Sequence, residues 1–133
     1  MVGEKDLRTL LRSMKPSLVD GEYVFHSLQK DELEKLKVSP LMTYVEKEGI
    51  TVILDKQTAE ASGISYGPTW ALITLEVHSD LEAVGFMARL TTALAGAGIS
   101  VNIVSAYYHD YLFVPHGKAQ LALEVLEDLS QTA

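Results

Sequence analysis

The chain has 133 residues, no cysteine and a formal net charge of −7, and 47% of its residues are hydrophobic. This length allows one ordinary domain or two very small ones, and the apolar content is typical of a packed globule. The lack of cysteine excludes disulfides, thiolate metal sites and a cysteine nucleophile, and fits a cytoplasmic protein. The acidic balance argues against binding to nucleic acid, and no stretch approaches the roughly 18 apolar residues of a membrane-spanning helix.

The first half of the chain alternates between helical and extended patterns. Leucines at helical spacing, followed by Pro16, predict a short amphipathic helix near the start. A β-rich stretch bounded by turn residues predicts the first strand, and Glu48-Gly49 predicts the turn of a hairpin. The predicted elements are a helix over 7–14, a strand over 21–28, a helix over 30–37, a hairpin over 40–55 and a helical turn over 57–62.

The second half begins after Gly63–Pro68, a stretch with two glycines and a proline that is the best candidate for a linker. One apolar face predicts a strand over 69–78, and apolar residues spaced four apart predict a helix that ends near Ala95. The three-residue spacing of Ser79 and Glu82 is that of a capping box at the start of this helix, and Gly96 and Gly98 are expected to end it with a left-handed C-cap. Strands over 99–106 and 111–114 and a last amphipathic helix follow.

Both halves therefore repeat the order strand, helix, hairpin, helix. Both first strands also end in the dipeptide His-Ser, at His26-Ser27 and His78-Ser79. Together these features predict a tandem duplication with an N-terminal module over 1–66, which includes the leading helix, and a C-terminal module over 67–133. Because the chain ends on a helix, each half lacks a closing fourth strand. We therefore predict that the strand Tyr23–Leu28 pairs into the C-terminal sheet, and that the 69–78 strand lies beside it or closes the first sheet.

The second half resembles the ACT domain, a βαββαβ ferredoxin-like module of amino-acid metabolism. The matching residues are Gly85, Leu94, Gly98, Ile99, Val101 and Ile103, followed by Ser105, Tyr107, Asp110, Leu112 and Val114 in the pattern of aspartate kinase modules and arginine-sensor proteins. The resemblance covers residues 70–129, and extends to residues 22–62 by the order of elements. It implies an α+β protein of two ferredoxin-like ACT modules in tandem, with antiparallel sheets and helices on one face. The chain resembles small free-standing bacterial proteins with two ACT domains.

The stretch Ile99–Pro115 reads as a hairpin whose turn carries Tyr107, Tyr108, His109 and Asp110. His109-Asp110 has the chemistry of an acid–base pair or metal site, but neighbours on a strand point to opposite faces, so the simpler interpretation of Asp110 is a turn residue bonded to the local backbone. The tyrosines could stack on bases, but no Lys or Arg occurs between Arg89 and Lys118, which favours packing or an interface.

The His-Ser dipeptides have a stronger case as binding elements, because each lies where a strand is followed by a helix. The serine hydroxyl is expected to cap that helix, and a helix N-terminus attracts a carboxylate. Asp80 or Glu82 can take an ammonium group, and Gly85 serves either close approach of a ligand or close packing of the helix. The opposite wall is expected to be the strand with Asn102, from the other module or from a second copy. The predicted ligand-binding residues are Ser79, Asp80, Glu82, Val84, Gly85, Phe86, Asn102 and Ile103.

These observations predict a non-catalytic regulatory sensor that binds a small molecule, which the resemblance suggests is an amino acid. No catalytic triad, phosphate loop or metal motif is present in the sequence, so we expect no enzyme activity, no cofactor and no metal. Another module, in the same chain or in a homodimer, is expected to cover the second face of the sheet. A homodimer is the expected oligomer, and neither nucleic acid nor membrane is expected as a partner. The alternative is a protein–protein interaction module without a ligand.

Overall fold

The computed structural model describes residues 3–133, which form five α-helices and one sheet of six strands. The strand order is β2-β3-β1-β4-β6-β5, which places β2 and β5 at the edges. The pairs β1–β3, β2–β3 and β5–β6 are antiparallel. The elements are α1 (Leu7–Ser13), β1 (Pro16–Leu28), α2 (Lys30–Glu34), β2 (Met42–Val45), β3 (Ile50–Asp55), α3 (Lys56–Ala61), β4 (Trp70–Leu75), α4 (Phe86–Gly96), β5 (Asn102–Ser105), β6 (Asp110–Pro115), a 3₁₀ turn (His116–Lys118) and α5 (Ala119–Thr132).

The chain divides into two compact units that are not consecutive halves. The large unit comprises residues 3–20 and 71–133, and the small unit comprises Gly21–Trp70. The predicted boundary between residues 66 and 67 concerns a repeat in the sequence, whereas the two compact units are defined by contacts in space. The predicted boundary therefore stays a prediction.

In the large unit, α1, α4 and α5 cover one face of the sheet. Its core contains fourteen buried residues, and those from β4 (Ala71, Ile73, Leu75) alternate as predicted for one apolar face of a strand. The N-cap of α1 is Asp6, whose side chain accepts hydrogen bonds from the backbone N–H (3.0 Å) and the hydroxyl (2.7 Å) of Thr9. These two bonds hold the pKa of the Asp6 carboxyl below its ordinary value.

The small unit is built in the same order but on a smaller scale. The predicted hairpin is confirmed: β2 and β3 pair antiparallel, and Glu46 N donates to Gly49 O across the turn. Its core has five buried residues: Val24, Leu28, Val52, Leu54 and Ala59. At the start of α3, Lys56 donates to Glu22 at 2.9 Å, and this bond raises the pKa of the lysine ammonium.

The strand β1 crosses the boundary between the two units, and the predicted pairing of Tyr23–Leu28 into the C-terminal sheet stays a prediction. Residues Tyr23–Leu28 pair with β3 of the small unit, and the Pro16–Asp20 end of the same strand belongs to the large unit. The strand β4 lies beside β1, as predicted. Residues 16–20 were not predicted as strand, and they contain a proline and an aspartate that disfavour one. Gly21, at φ +103°, allows the strand to continue through a backbone conformation that other residues rarely adopt.

Candidate functional site

The loop between β4 and α4 differs from the capping box that the sequence predicted. The helix begins at Phe86, with Gly85 as its N-cap, so Ser79 lies well before it and does not cap it. The hydroxyl of Ser79 donates instead to Asp110 at 2.6 Å, and Asp80 Oδ1 accepts from Glu82 N at 2.8 Å. The hydrogen bond from Glu82 N to the Asp80 side chain forms a local turn in place of helical hydrogen bonds, so the helix starts only at Phe86.

The Ser79–Asp110 hydrogen bond is a buried polar contact within the large unit. Ser79 is 9% exposed and Asp110, the first residue of β6, is 4% exposed. The prediction that Asp110 bonds to the local backbone is wrong, because its carboxylate accepts from a side chain 31 residues away. Burial of a carboxylate is costly without a donor, so this bond ties the loop to the start of β6.

In the small unit the matching serine behaves differently. Ser27 is exposed and lies within β1, and the helix α2 is capped at Gln29, whose N–H donates to Glu32 at 2.8 Å. The prediction that Ser27 caps its helix is therefore also wrong. A Cβ on Gly49 would lie 2.7 Å from Ser27 Oγ, so the hairpin turn passes this serine closely.

Gly85 has a role that neither of the two sequence interpretations gave. Its φ is +90°, and an added Cβ would meet only Leu7 Cδ2, at an ordinary contact distance of 3.7 Å. The glycine is needed for a left-handed backbone conformation rather than for close packing of the helix. This conformation turns the chain into the first turn of α4.

The N-terminal segment lies along the same loop. Glu4 N donates to His78 O and Asp80 N donates to Glu4 O, both at 2.8 Å, and Lys5 pairs with Glu82 at 3.3 Å. The backbone N–H groups of Asp80 and Glu82 are therefore already bonded, so the expected carboxylate contact directly after Ser79 lacks these two donors. The free N–H groups of a helix are those of its first turn, which here begins at Phe86.

A small cleft of about 190 Å³ lies between this loop, the first turn of α4 and the β5–β6 hairpin. It brings together four of the predicted residues, Ser79, Asp80, Gly85 and Phe86, and adds others that the sequence analysis did not assign to the site: Leu81, Ala83, Met87, Ala88, Ser105 and Asp110. Ser105 and Asp110 stood in the ACT-like pattern, which was the available signal for them.

The other predicted residues do not line this cleft. Val84 is 85% exposed, and Glu82 lines a neighbouring depression of about 350 Å³. Asn102 and Ile103 are adjacent on β5 and point to opposite faces of the sheet, with Ile103 packed against the core. Phe86 lines the cleft although it is only 3% exposed, because most of its side chain is packed in the core.

The turn of the β5–β6 hairpin carries an exposed aromatic cluster. Tyr107 and Tyr108 are 60% and 54% exposed, and their ring centroids are 4.9 Å apart. Tyr108 also contacts His78, with ring centroids 5.3 Å apart. Within residues 3–133, no group of His, Asp or Glu side chains is arranged to hold a metal ion.

Comparison with models of known protein families identifies the family of this chain. One model of the ACT domain matches residues 2–70 and a second matches residues 65–128. The chain therefore belongs to the ACT domain family and carries two ACT domains in tandem. No protein with a curated description matches it. Across residues 3–133 the structure contains no helix with both the length and the apolar character to cross a membrane.

Several solved structures share the fold. A Vibrio cholerae protein of unknown function, called a possible transport protein, is 43% identical and has a TM-score of 0.80, over 90% of this chain and 92% of that one. The regulatory subunit of aspartate kinase from Thermus flavus is 12% identical with a TM-score of 0.65, over 86% and 95%. Aspartokinase III from E. coli, solved with aspartate and ADP, is 13% identical with a TM-score of 0.60, over 86% of this chain and 32% of that one.

Proposed function

We propose that the protein is a non-catalytic regulatory sensor that binds an amino acid in the cleft at the start of α4. The observation that carries this proposal is the pairing of opposite chemistries around one cleft. The first-turn N–H groups of α4, at Phe86 to Ala88, suit a carboxylate, and Asp80 suits an ammonium group. A free amino acid carries both groups on one carbon.

The cleft is smaller than the roughly 300–1,000 Å³ of a site for a drug-sized ligand, which supports a small polar metabolite. The regulatory role is supported by membership of the ACT family and by the shared fold with a regulatory subunit of aspartate kinase. A cytoplasmic location fits such a role and the cysteine-free sequence.

A second copy of the chain would complete the site. The strand β5, which carries Asn102, lies at an edge of the sheet, so its outer backbone groups are available for another chain. The exposed side chains of Val84 and Glu82 would then contact the partner. The β5 strand of the second copy would form the opposite wall, with Asn102 contributing its side chain and Ile103 only its backbone.

The first test is a thermal-shift panel of the twenty amino acids. A ligand that binds only the folded state raises the free energy of unfolding, by about 2.7 kcal/mol at a concentration of 100 times Kd. At least one amino acid is expected to raise the melting temperature. If none does, the sensor proposal fails.

The second test locates the site by calorimetry with the amino acid that stabilises most. Asp80→Ala and Gly85→Val are expected to weaken binding by about tenfold or more, since each removes a charged partner or the turn at the helix start. Asp128→Ala, an exposed acidic residue on α5, is the control and should bind as the parent does. Parent-like binding by both site variants, while folded, would place the ligand elsewhere.

The alternative, an interaction module without a ligand, is favoured by one observation. Large apolar side chains are exposed around the same loop and the adjacent hairpin turn: Leu81 (65%), Val84 (85%), Tyr107 (60%) and Tyr108 (54%). Such a patch is typical of a surface that another protein covers. This function predicts that Val84→Glu abolishes self-association in analytical ultracentrifugation while the amino-acid panel has no effect.

A further inference from the structure

A polar side chain interrupts the core-facing row of β1 in the small unit. Val24, His26 and Leu28 alternate on the face that the helices α2 and α3 cover. Val24 is fully buried and Leu28 is 3% exposed, whereas His26 between them is only partly buried. Among residues 3–133 no side-chain partner of His26 is found. A histidine at this position faces the open space above the sheet.

The space is a groove of about 740 Å³ that exists because both helices are short. α2 has five residues and α3 has six, so they leave part of the sheet face uncovered between them. Apolar side chains line the groove, among them Leu28 on its floor and Leu36, Ala61 and Ile64 on its walls. Its volume lies within the roughly 300–1,000 Å³ typical of small-molecule sites.

The charge of the groove is opposite to that of the chain. The residues that line the groove include two lysines, Lys35 and Lys37, and one acidic residue, Glu32, whereas the protein as a whole has a net charge of −7. Within residues 3–133 neither lysine side chain has an ion-pair partner, while Glu32 accepts a hydrogen bond from Gln29 N. The groove therefore presents free cationic groups and a histidine beside apolar walls.

We propose that this groove is a second binding site, for a small carboxylate with an apolar chain. The lysine ammonium groups pair with the carboxylate, His26 supplies a further hydrogen-bonding group, and the apolar chain covers Leu36 and Ile64. The site lies wholly within the small unit. It is separate from the amino-acid cleft and does not depend on it.

Octanoate, below the concentration at which it forms micelles, is a suitable probe for titration of the full chain by ¹H–¹⁵N NMR. The largest shifts are expected at the amides of residues 26–38 and 57–65. Lys35→Glu/Lys37→Glu should weaken binding by about tenfold, because two attractions become repulsions. Lys47→Glu, an exposed lysine in the β2–β3 turn of the same unit, should leave binding unchanged.

A second variant and a second probe keep the test decisive if the double variant fails to fold. Ala61→Trp introduces a large side chain at an exposed wall residue and should block the groove. Octylamine, which has the same chain and the opposite charge, should not bind. The proposal is overturned if octanoate shifts no groove amides, if octylamine binds equally well, or if Ala61→Trp binds as the parent does.

Discussion

The two units use the same order of elements and differ in the length of their helices. In the large unit α4 has 11 residues and α5 has 14, and fourteen residues are buried in its core. In the small unit the corresponding helices have five and six residues, and five residues are buried. A helix buries only the sheet surface that its own length covers, so one order of elements gives a closed core in one unit and an open groove in the other.

The repeated His-Ser dipeptide shows the same divergence. In the large unit Ser79 is buried against Asp110, and His78 contacts Tyr108. In the small unit Ser27 is exposed, and His26 faces the groove. Equal sequence at equal topological positions therefore does not give equal chemistry, because the surrounding elements decide which donor or acceptor each side chain meets.

Cavities in the two cores give the largest expected effect. Leu90→Ala removes a fully buried side chain from the large core and should lower the free energy of unfolding by about 4 kcal/mol. Leu54→Ala, in the small core, should cost about 2–3 kcal/mol because fewer buried neighbours surround the cavity. Urea denaturation measures both. Equal losses of unfolding free energy would contradict the view that a cavity in the small core has fewer buried neighbours and therefore costs less.

In each unit one glycine lies very close to atoms of a neighbouring segment, and an alanine at that position tests how much this close contact matters. A Cβ on Gly3 would lie 2.7 Å from Asp80 N, and one on Gly49 would lie 2.7 Å from Ser27 Oγ. Gly3→Ala meets only backbone atoms, whereas Gly49→Ala meets the Ser27 hydroxyl first and the Leu28 carbonyl oxygen at 3.1 Å, so we expect losses of about 2 and about 1 kcal/mol by thermal denaturation. Gly117→Ala has open space and is the control. A stable Gly3→Ala would show that the N-terminal segment does not need this contact.

Serine substitutions sharpen the comparison of the dipeptides. Ser79→Ala leaves the buried Asp110 carboxylate without its donor and should cost about 1–2 kcal/mol. Ser27→Ala changes an exposed residue and should stay within about 0.5 kcal/mol of the parent. Chemical denaturation of both variants measures these two losses of unfolding free energy. Equal losses would mean that the Ser79–Asp110 hydrogen bond contributes no net stability.

The smallest expected effect concerns the cap of α1 and depends on pH. The Thr9 bonds hold the pKa of Asp6 below its ordinary value, so the charged carboxylate is favoured in the folded state. This contribution is present above the unfolded pKa of about 3.9 and is lost as the pH falls through the lower folded pKa. Asp6→Ala should therefore lower the melting temperature slightly at neutral pH, and the difference from the parent should shrink on acidification. A constant difference would contradict the charge effect.

The sequence by itself determined the order of elements and most core positions. Periodicity identified α1, both hairpins and the apolar face of β4, because the spacing of apolar residues follows directly from the geometry of helix and strand. The left-handed end of α4 at Gly98, with φ +74°, was likewise readable from a single residue type, whereas Gly96, predicted with it, is the last residue of the helix. The resemblance of residues 70–129 to the ACT domain was confirmed by the family match at 65–128.

Only the tertiary structure decided which partners the polar loop residues find. Ser79 and Glu82 have capping-box spacing, but Asp110, distant in the sequence, accepts the serine hydroxyl, and Lys5 pairs with Glu82. The extension of β1 over residues 16–20 also escaped the sequence pattern, since Pro16 is read locally as a breaker. Local spacing fixes which hydrogen bonds a residue can make, whereas long-range packing fixes which one it does make.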